Sequence, residues 1–436
     1  MIKKSTFLFF IFFSTLFVAV AQNASNPYSI FGIGSVSKQA LIYNKSMGGL
    51  GISNGKSWVL NNVNPAMLPL NTFSTFDVGL YTEKRTLNTK DMKQGNINGG
   101  LDYLTLGIPL TTGKWTMSLG LMPYSNVSYD IASNSPIVNN EDANASYLYS
   151  GSGGINQVFV GSGWQIVPDF IYAGVRVGYG FGSIKDETTI SLSERVFRDE
   201  TDTIGFSKNF QSSAFNRRTK YSDLMLEGGL YAKRKLGKER EISIGLIYEL
   251  GGNMRTKRDE FLQIADGSTI PPSDTLVFNA KGSTYLPQKW GVGVSFSKPY
   301  KWTVGMDIYT RNWENFKSDF GRDQSLNQSR EIIIGGEYTP DLFSVKSYFH
   351  RITYQMGFNY EQTPVKINNE SIDDFGINFG VSLPVGSASI LNVGFKYGQT
   401  GTTTRGLIRE DYFKLNLGMT FNDRSYSWYR NQGKYK

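Results

Sequence analysis

The sequence predicts an all-β protein, a transmembrane antiparallel β-barrel of about 14 strands with a small N-terminal plug. Three observations carry the prediction. Apolar and polar residues alternate with a period of two along much of the chain. Charged residues are scarce at 19% while glycines number 47 and aromatics reach 14%. The chain also opens like an exported protein.

The opening residues set the compartment. Lys3 and Lys4 form a charged start, Phe7 to Val20 is an almost unbroken apolar run, and Ala19-Val20-Ala21 before Gln22 fits the small-x-small cleavage rule. Residues 1–21 therefore read as a signal peptide, and the apolar run is short for a retained spanning helix of about 20 residues. The sequence has no cysteine, which excludes a lipoprotein anchor, a disulfide scaffold and thiolate metal sites. Without Lys3 and Lys4 the formal charge falls from +8 to +6, spread without blocks of like charge, so no nucleic-acid footprint is expected.

The alternation is plainest near the C-terminus. From Tyr412 to Phe421 every odd position is large and apolar (Phe413, Leu415, Leu417, Met419, Phe421), while the even ones are mostly polar or glycine. A lipid-facing wall hides its apolar surface at every second residue in this way. The polar face of a soluble sandwich would carry more Lys and Glu and less Gly. Fourteen candidate strands follow: 72–85, 101–110, 115–129, 155–166, 169–183, 222–235, 241–254, 283–296, 302–313, 330–338, 352–362, 372–383, 390–399 and 412–422. An even count closes an antiparallel barrel.

Connection lengths alternate as bacterial barrels require, with short periplasmic turns and long outer loops. Segments 110–114, 167–169, 236–240, 297–301 and 384–389 are short; 86–100, 130–154, 184–221, 255–282 and 314–329 are long. The barrel, 72–422, then begins and ends in the periplasm, followed by a tail over 423–436. The 339–351 segment is the one long turn on the periplasmic side. Tyr81, Tyr129, Trp164, Tyr285, Trp313, Tyr338 and Tyr412 near strand ends suit the interfacial aromatic girdles.

Residues 22–71 do not alternate and precede the first strand. Phe31-Gly32-Ile33-Gly34, Met47 to Ile52 and Trp58 to Leu70 mix apolar side chains with glycines, as a segment folded into the lumen would. Here the glycine cluster Gly48, Gly49 and Gly51, followed by Asn64-Pro65-Ala66 just before the first strand, resembles the N-terminal hatch of the FadL-type family of outer-membrane transporters. That resemblance spans the mature chain in layout, and implies passive passage of hydrophobic, fatty-acid-like compounds with hatch-gated lateral release through a break in strand 3. Pro123 falls there; proline cannot donate a ladder hydrogen bond, so either the wall breaks at this residue or the strand ends near Met122. The chain departs from the family pattern at Met67, where glycine often follows Asn-Pro-Ala, in lacking an acidic residue between Gly51 and Asn64, and in the tail beyond Phe421.

Catalytic chemistry finds little to use. The only histidine, His350, falls on the periplasmic side, so no Ser-His hydrolytic site is expected at the outer surface, and the chain reads as a non-enzyme. Gly178 to Gly182 looks like a phosphate loop but continues a strand, which makes its glycines lumen-facing positions. No cofactor and no metal are expected. The dyad turns Arg176, Glu249, Asp307, Glu337, Lys396 and Lys414 inward; Arg176, Lys396 and Lys414 are candidates for a ligand headgroup, against the plainer reading that inward charges pair with one another and with the plug. Expected partners are outer-membrane lipid and a hydrophobic small molecule. The alternative is an accessory barrel of an outer-membrane secretion or assembly complex, as some FadL-like barrels are in type IX secretion in the Bacteroidota, whose Asn- and Tyr-rich compositions this chain shares. A polar-solute porin conflicts with some fifty residues available to fill the pore.

Overall fold

The computed structural model describes residues 26–137, 140–196, 206–265, 274–321, 326–386 and 388–423. The signal peptide expected over 1–21, residues 22–25 and the tail from 424 onward lie outside the described residues.

Fourteen antiparallel strands close on themselves. In chain order they are β1 (Ser74–Asn88), β2 (Lys93–Thr111), β3 (Trp115–Ile137), β4 (Asn140–Val167), β5 (Ile171–Val196), β6 (Phe206–Leu236) and β7, in two segments, Arg240–Glu249 and Gly252–Ala265. The second half comprises β8 (Asp274–Leu286 and Lys289–Lys298), β9 (Trp302–Asn312), β10 (Gln328–Tyr338), β11 (Thr353–Ile367), β12 (Glu370–Val385), β13 (Ser389–Thr400) and β14 (Arg409–Asp423). Neighbours in sequence pair throughout, and β14 pairs with β1 from Arg409 opposite Asn88 to Asp423 opposite Ser74, which seals the cylinder.

The dyad is realised physically. On β14, Phe413, Leu417 and Phe421 are exposed on the outer face, while Tyr412, Asn416 and Thr420 are buried inside. On β9, Val304, Met306 and Ile308 face out and Thr303, Asp307 and Arg311 face in. An outer surface of this kind is stable only against lipid, because its apolar side chains would otherwise stand in water.

One rim holds three-residue turns, such as the one at Gly113 between β2 and β3 and the one at Gly237 between β6 and β7. The opposite rim differs from the expectation of long loops. Segments 130–154, 184–221 and 255–282 are largely continuations of the sheet: β4, β5 and β6 run for 28, 26 and 31 residues, against 11 each for β9 and β10. A membrane strand needs only about 10 residues. Beyond the bilayer a strand has water on both faces, so it loses the apolar half of the alternation and reads as loop.

Several expected girdle aromatics sit inside instead. Tyr81 and Tyr412 occupy the same parity on their strands as Asp77 and Lys414, which is the lumen parity, and Trp313 is buried in the 3-10 turn Trp313–Asn315 that follows β9. Tyr129 turns inward for another reason. Pairing of β3 with β4 slips between Pro123 and Ser125, so even residues point inward before the bulge and odd residues after it. Trp164 and Tyr338 remain on the outer parity, Tyr338 being 48% exposed.

Residues 26–71 lie inside the cylinder. They carry three short helical turns, Pro27–Ile30, Ile42–Lys45 and Pro65–Leu70, and the two-residue strand Ser35–Val36. Ile33, Leu41, Met47, Leu50, Ile52 and Leu60 are fully buried there. Wall glycines make room for them. A Cβ on Gly357 would come within 2.1 Å of Met47 C, and one on Gly174 within 2.4 Å of Pro65 C. Gly178 and Gly180 likewise face the lumen, where a Cβ on Gly178 would meet Gln157 Nε2 at 2.0 Å.

Candidate functional site

The inner segment is fixed to the wall at both of the places the sequence singles out. The glycine cluster forms a tight turn: Gly48 and Gly49 have φ of +79° and +106°, a region L side chains rarely adopt. Beside it, Asp307 of β9 accepts the backbone N–H groups of Gly51 (2.7 Å) and Ile52 (2.9 Å). Such charge-assisted bonds from a buried carboxylate satisfy donors that the turn leaves unpaired. At Gly51 a Cβ would meet Val63 Cγ2 at 2.5 Å, so this glycine is needed for close packing of the segment on itself.

Asn64, Pro65 and Ala66 form the start of a 3-10 helix. The Asn64 side chain accepts from Ala66 N at 3.0 Å, a helix cap, and donates to Ile52 O (2.9 Å) and to Leu230 O of β6 (3.0 Å). One buried amide thus ties three parts of the chain together, and Pro65 at the first helical position has no N–H to leave unsatisfied.

Ion pairs reinforce the seating. Lys56 and Tyr43 both engage Glu337 of β10, Lys45 pairs with Asp102 of β2 at 2.6 Å, and Lys38 pairs with Glu331 of β10. Arg176 of β5 donates to the Asn62 carbonyl and lies 3.3 Å from Glu227 of β6. A chain of charges continues around the wall from there. Lys289 approaches Glu227 (3.5 Å) and Glu249 (3.0 Å), and Arg311 holds Glu249 at 2.7 Å. The partners Tyr43, Lys45, Lys56 and Arg311 carry no motif signal in the sequence; only the parity of each strand points to the wall-borne ones.

Pro123 marks a discontinuity in the wall. Pairing of β2 with β3 runs from Thr111 opposite Trp115 to Leu104 opposite Leu121 and stops. Beyond that point β2 continues along β1 as far as Lys93, and β3 continues along β4 as far as Ile137. A slit therefore separates the far halves of β2 and β3, and β3 does not end near Met122. The bulge at Tyr124 directs its side chain into the lumen, where its hydroxyl donates to Glu249 Oε1 (2.7 Å) and accepts from Arg311 Nη1 (2.6 Å). On the slit side of β3 the inner segment takes the place of β2. Ser35 and Val36 pair with Asn126 and Ser125, and Ser37 N donates to Tyr124 O at 2.9 Å.

Behind the slit lies a cavity of about 410 Å³, lined by both chemistries. Phe31, Ile33, Leu101 and Val365 contribute apolar surface, Lys396, Lys414 and Arg85 contribute cations, and Glu83, Asp102, Glu361 and Asp374 contribute carboxylates. Lys396 stands 3.5 Å from Asp374 and 5.0 Å from the Tyr412 ring centroid, while the Lys414 ammonium sits 4.1 Å above the Tyr81 ring. Arg176 is placed elsewhere, beneath Asn62 and outside this lining. Among the described residues no cluster of three or more metal-ligating side chains occurs.

The fold defines the class: an outer-membrane β-barrel of the FadL-like architecture. Solved structures share that fold. The toluene transporter TbuX of Ralstonia pickettii aligns with a TM-score of 0.55 at 13% identity, over 88% of this chain and 99% of its own. A Pseudomonas aeruginosa FadL homologue gives 0.55 at 13% over 90% and 99%, and the P. putida toluene transporter TodX 0.54 at 14% over 89% and 98%. The family model described as BamG matches residues 1–435, and the chain belongs to the BamG family. No curated protein matches the chain in sequence.

Proposed function

We propose that this barrel exchanges a hydrophobic or amphipathic small molecule between its interior cavity and the surrounding bilayer, laterally, through the slit between β2 and β3, with residues 22–71 acting as the hatch. The observation that carries the reading is the end of β2–β3 pairing at Leu104 and Leu121, directly beside a cavity that Leu101, Pro123 and Asn126 help to line. The paired seam from Leu104 to Thr111 spans about 24 Å along the strand. At a tilt of about 40° that is about 18 Å of height, short of an apolar band about 25 Å tall. The slit therefore begins within the membrane. The mixed lining suits a ligand with an apolar body and an anionic head, with Lys396 and Lys414 as the headgroup residues. The same resemblance in fold to the toluene transporters supports an apolar cargo.

The test is native extraction followed by mass spectrometry of bound small molecules. Wild type is expected to retain an amphipathic ligand that is lost in the Lys396→Gln, Lys414→Gln double variant. Absence of any reproducible ligand from the wild type would overturn the reading.

A second reading has its own observation. Strands β4 to β6 rise far above the span that a bilayer requires, on one side of the barrel only, and transport through a slit does not need them. A tall, one-sided sheet of this kind offers a surface to other envelope proteins, as an accessory subunit of an outer-membrane complex would. Recovery of a stoichiometric partner from native membranes, lost on trimming the hairpins beyond the membrane, would favour it.

A further inference from the structure

The one long turn on the short-turn rim, residues 339–351, is built unlike its neighbours. The other turns there close in three residues, and this one carries a run of exposed apolar side chains: Phe343 (73% exposed), Val345 (99%) and Phe349 (71%). A barrel turn of this length has no topological need, and a patch of this kind in water is a liability.

Its placement decides what it faces. Tyr354, on the outer parity of β11 and 41% exposed, donates its hydroxyl to Phe349 O at 3.4 Å. Tyr348 donates to Pro384 O of β12 at 3.2 Å. The helical turn Tyr348–Arg351 is thereby held against the lipid-facing side of the wall instead of across the lumen mouth. At the other end of the turn Phe343 packs against Tyr300 with ring centroids 5.7 Å apart, and Tyr300 stacks on Trp58 of the inner segment at 5.5 Å, so this end is tied to the barrel mouth and the lipid side is held by Tyr348 and Phe349. The apolar surface thus continues the outer belt of Tyr338, Tyr354 and Met356 past the strand ends. Lys346 lies within the turn, and Arg351 closes it with its guanidinium 5.2 Å from the Tyr348 ring centroid.

We infer that residues 339–351 form an interfacial anchor seated in a phospholipid surface, with Val345 and Phe349 at the acyl boundary and Lys346 and Arg351 at headgroup phosphates. Apolar faces flanked by cations bind membranes in this way, and long cationic side chains reach up to the interface while their stems stay buried. Continuity with the lipid-facing belt selects lipid over a soluble partner. The anchor is independent of whatever the lumen carries.

The sequence has no cysteine, so single-cysteine labelling is clean. Val345→Cys and, separately, Phe349→Cys would be labelled with an environment-sensitive fluorophore in nanodiscs of phosphatidylethanolamine and phosphatidylglycerol, which leave both rims accessible. Lys238→Cys, in a three-residue turn of the same rim, serves as control. Expected is a blue-shifted emission at both test sites, quenching by lipid spin-labelled near the headgroup, and iodide quenching several-fold weaker than at Lys238→Cys. Iodide quenching equal to the control would overturn the inference. So would photocrosslinking of either site to a protein, and not to lipid, in native envelopes.

Discussion

Tyr124 and Glu249 meet across the lumen, 2.7 Å from hydroxyl to carboxylate, although one belongs to the bulge of β3 and the other to β7 on the far wall. The contact holds Tyr124 in the lumen, Val127 and Tyr129 are buried on the same stretch of β3, and β2 has no partner on β3 beyond Leu104. Tyr124→Phe removes the hydroxyl and with it two bonds, one to each member of the buried Glu249–Arg311 pair, and leaving such groups unpaired costs about 1–3 kcal/mol each. The expected result is a lower urea midpoint together with faster amide exchange over 122–129, while exchange in β11 to β13 stays unchanged. Uniform exchange across the barrel would refute the assignment of a local role.

Asn64 is the joint between the inner segment and β6. Asn64→Ala deletes a cap and two cross-chain bonds, each worth about 1 kcal/mol. The barrel should still form and shift on heating in gel assays, whereas limited proteolysis should cut within residues 40–71. Protection equal to wild type would show that ion pairs alone hold the segment.

The wall glycines separate crowding from backbone freedom. Gly357→Ala places a methyl 2.1 Å from Met47 C, against backbone that has no space to yield, whereas a Cβ on Gly228 meets nothing within 4 Å. Gly357→Ala is expected to expel or displace the 47–50 turn and destabilise by a few kcal/mol, in the manner of overpacked cores, and Gly228→Ala to be neutral. Equal stability of the two variants, measured by urea unfolding in lipid, would contradict the contact.

Acid should loosen the sheet above the membrane. Asp259 of β7 accepts Asn279 N at 2.9 Å and pairs with Lys220 at 3.0 Å, and those two bonds hold its carboxyl below the usual carboxylate range. A depressed folded value stabilises at pH above the ordinary range and the contribution is lost as pH falls through the folded value. The protection factor of the Asn279 amide, its exchange relative to the intrinsic rate at each pH, is expected to fall on acidification in the wild type and to be independent of pH in Asp259→Asn. An unchanged profile in the variant would assign the effect to another group.

Much of the wall was legible because lipid imposes a strict rule on every second residue. Leu417 and Phe421 obey it, and the strand count follows from such residues. The rule ends where the bilayer ends, so the polar upper halves of β4 to β6 looked like loops. It also fails silently at a bulge: nothing in Met122-Pro123-Tyr124 announces that Tyr129 will change faces, although Pro123 announces that something happens nearby. In the lumen, the inward parity of Asp307 and Glu337 could be read, and so could Gly51 as a place of close approach. Their meeting could not, since it joins residues more than 250 positions apart, with separations of 256 for Gly51–Asp307 and 294 for Tyr43–Glu337.

The seam between β14 and β1 brings Thr420 to Asp77 across 343 residues of chain. Residues 26–71 are already seated on glycine shelves in β5 and β11 when that seam is shut, and a cylinder of paired strands offers them no door of comparable width afterwards. The geometry therefore favours an order in which residues 26–71 are in place before β14 meets β1, which makes the last strand the closure of the wall around them.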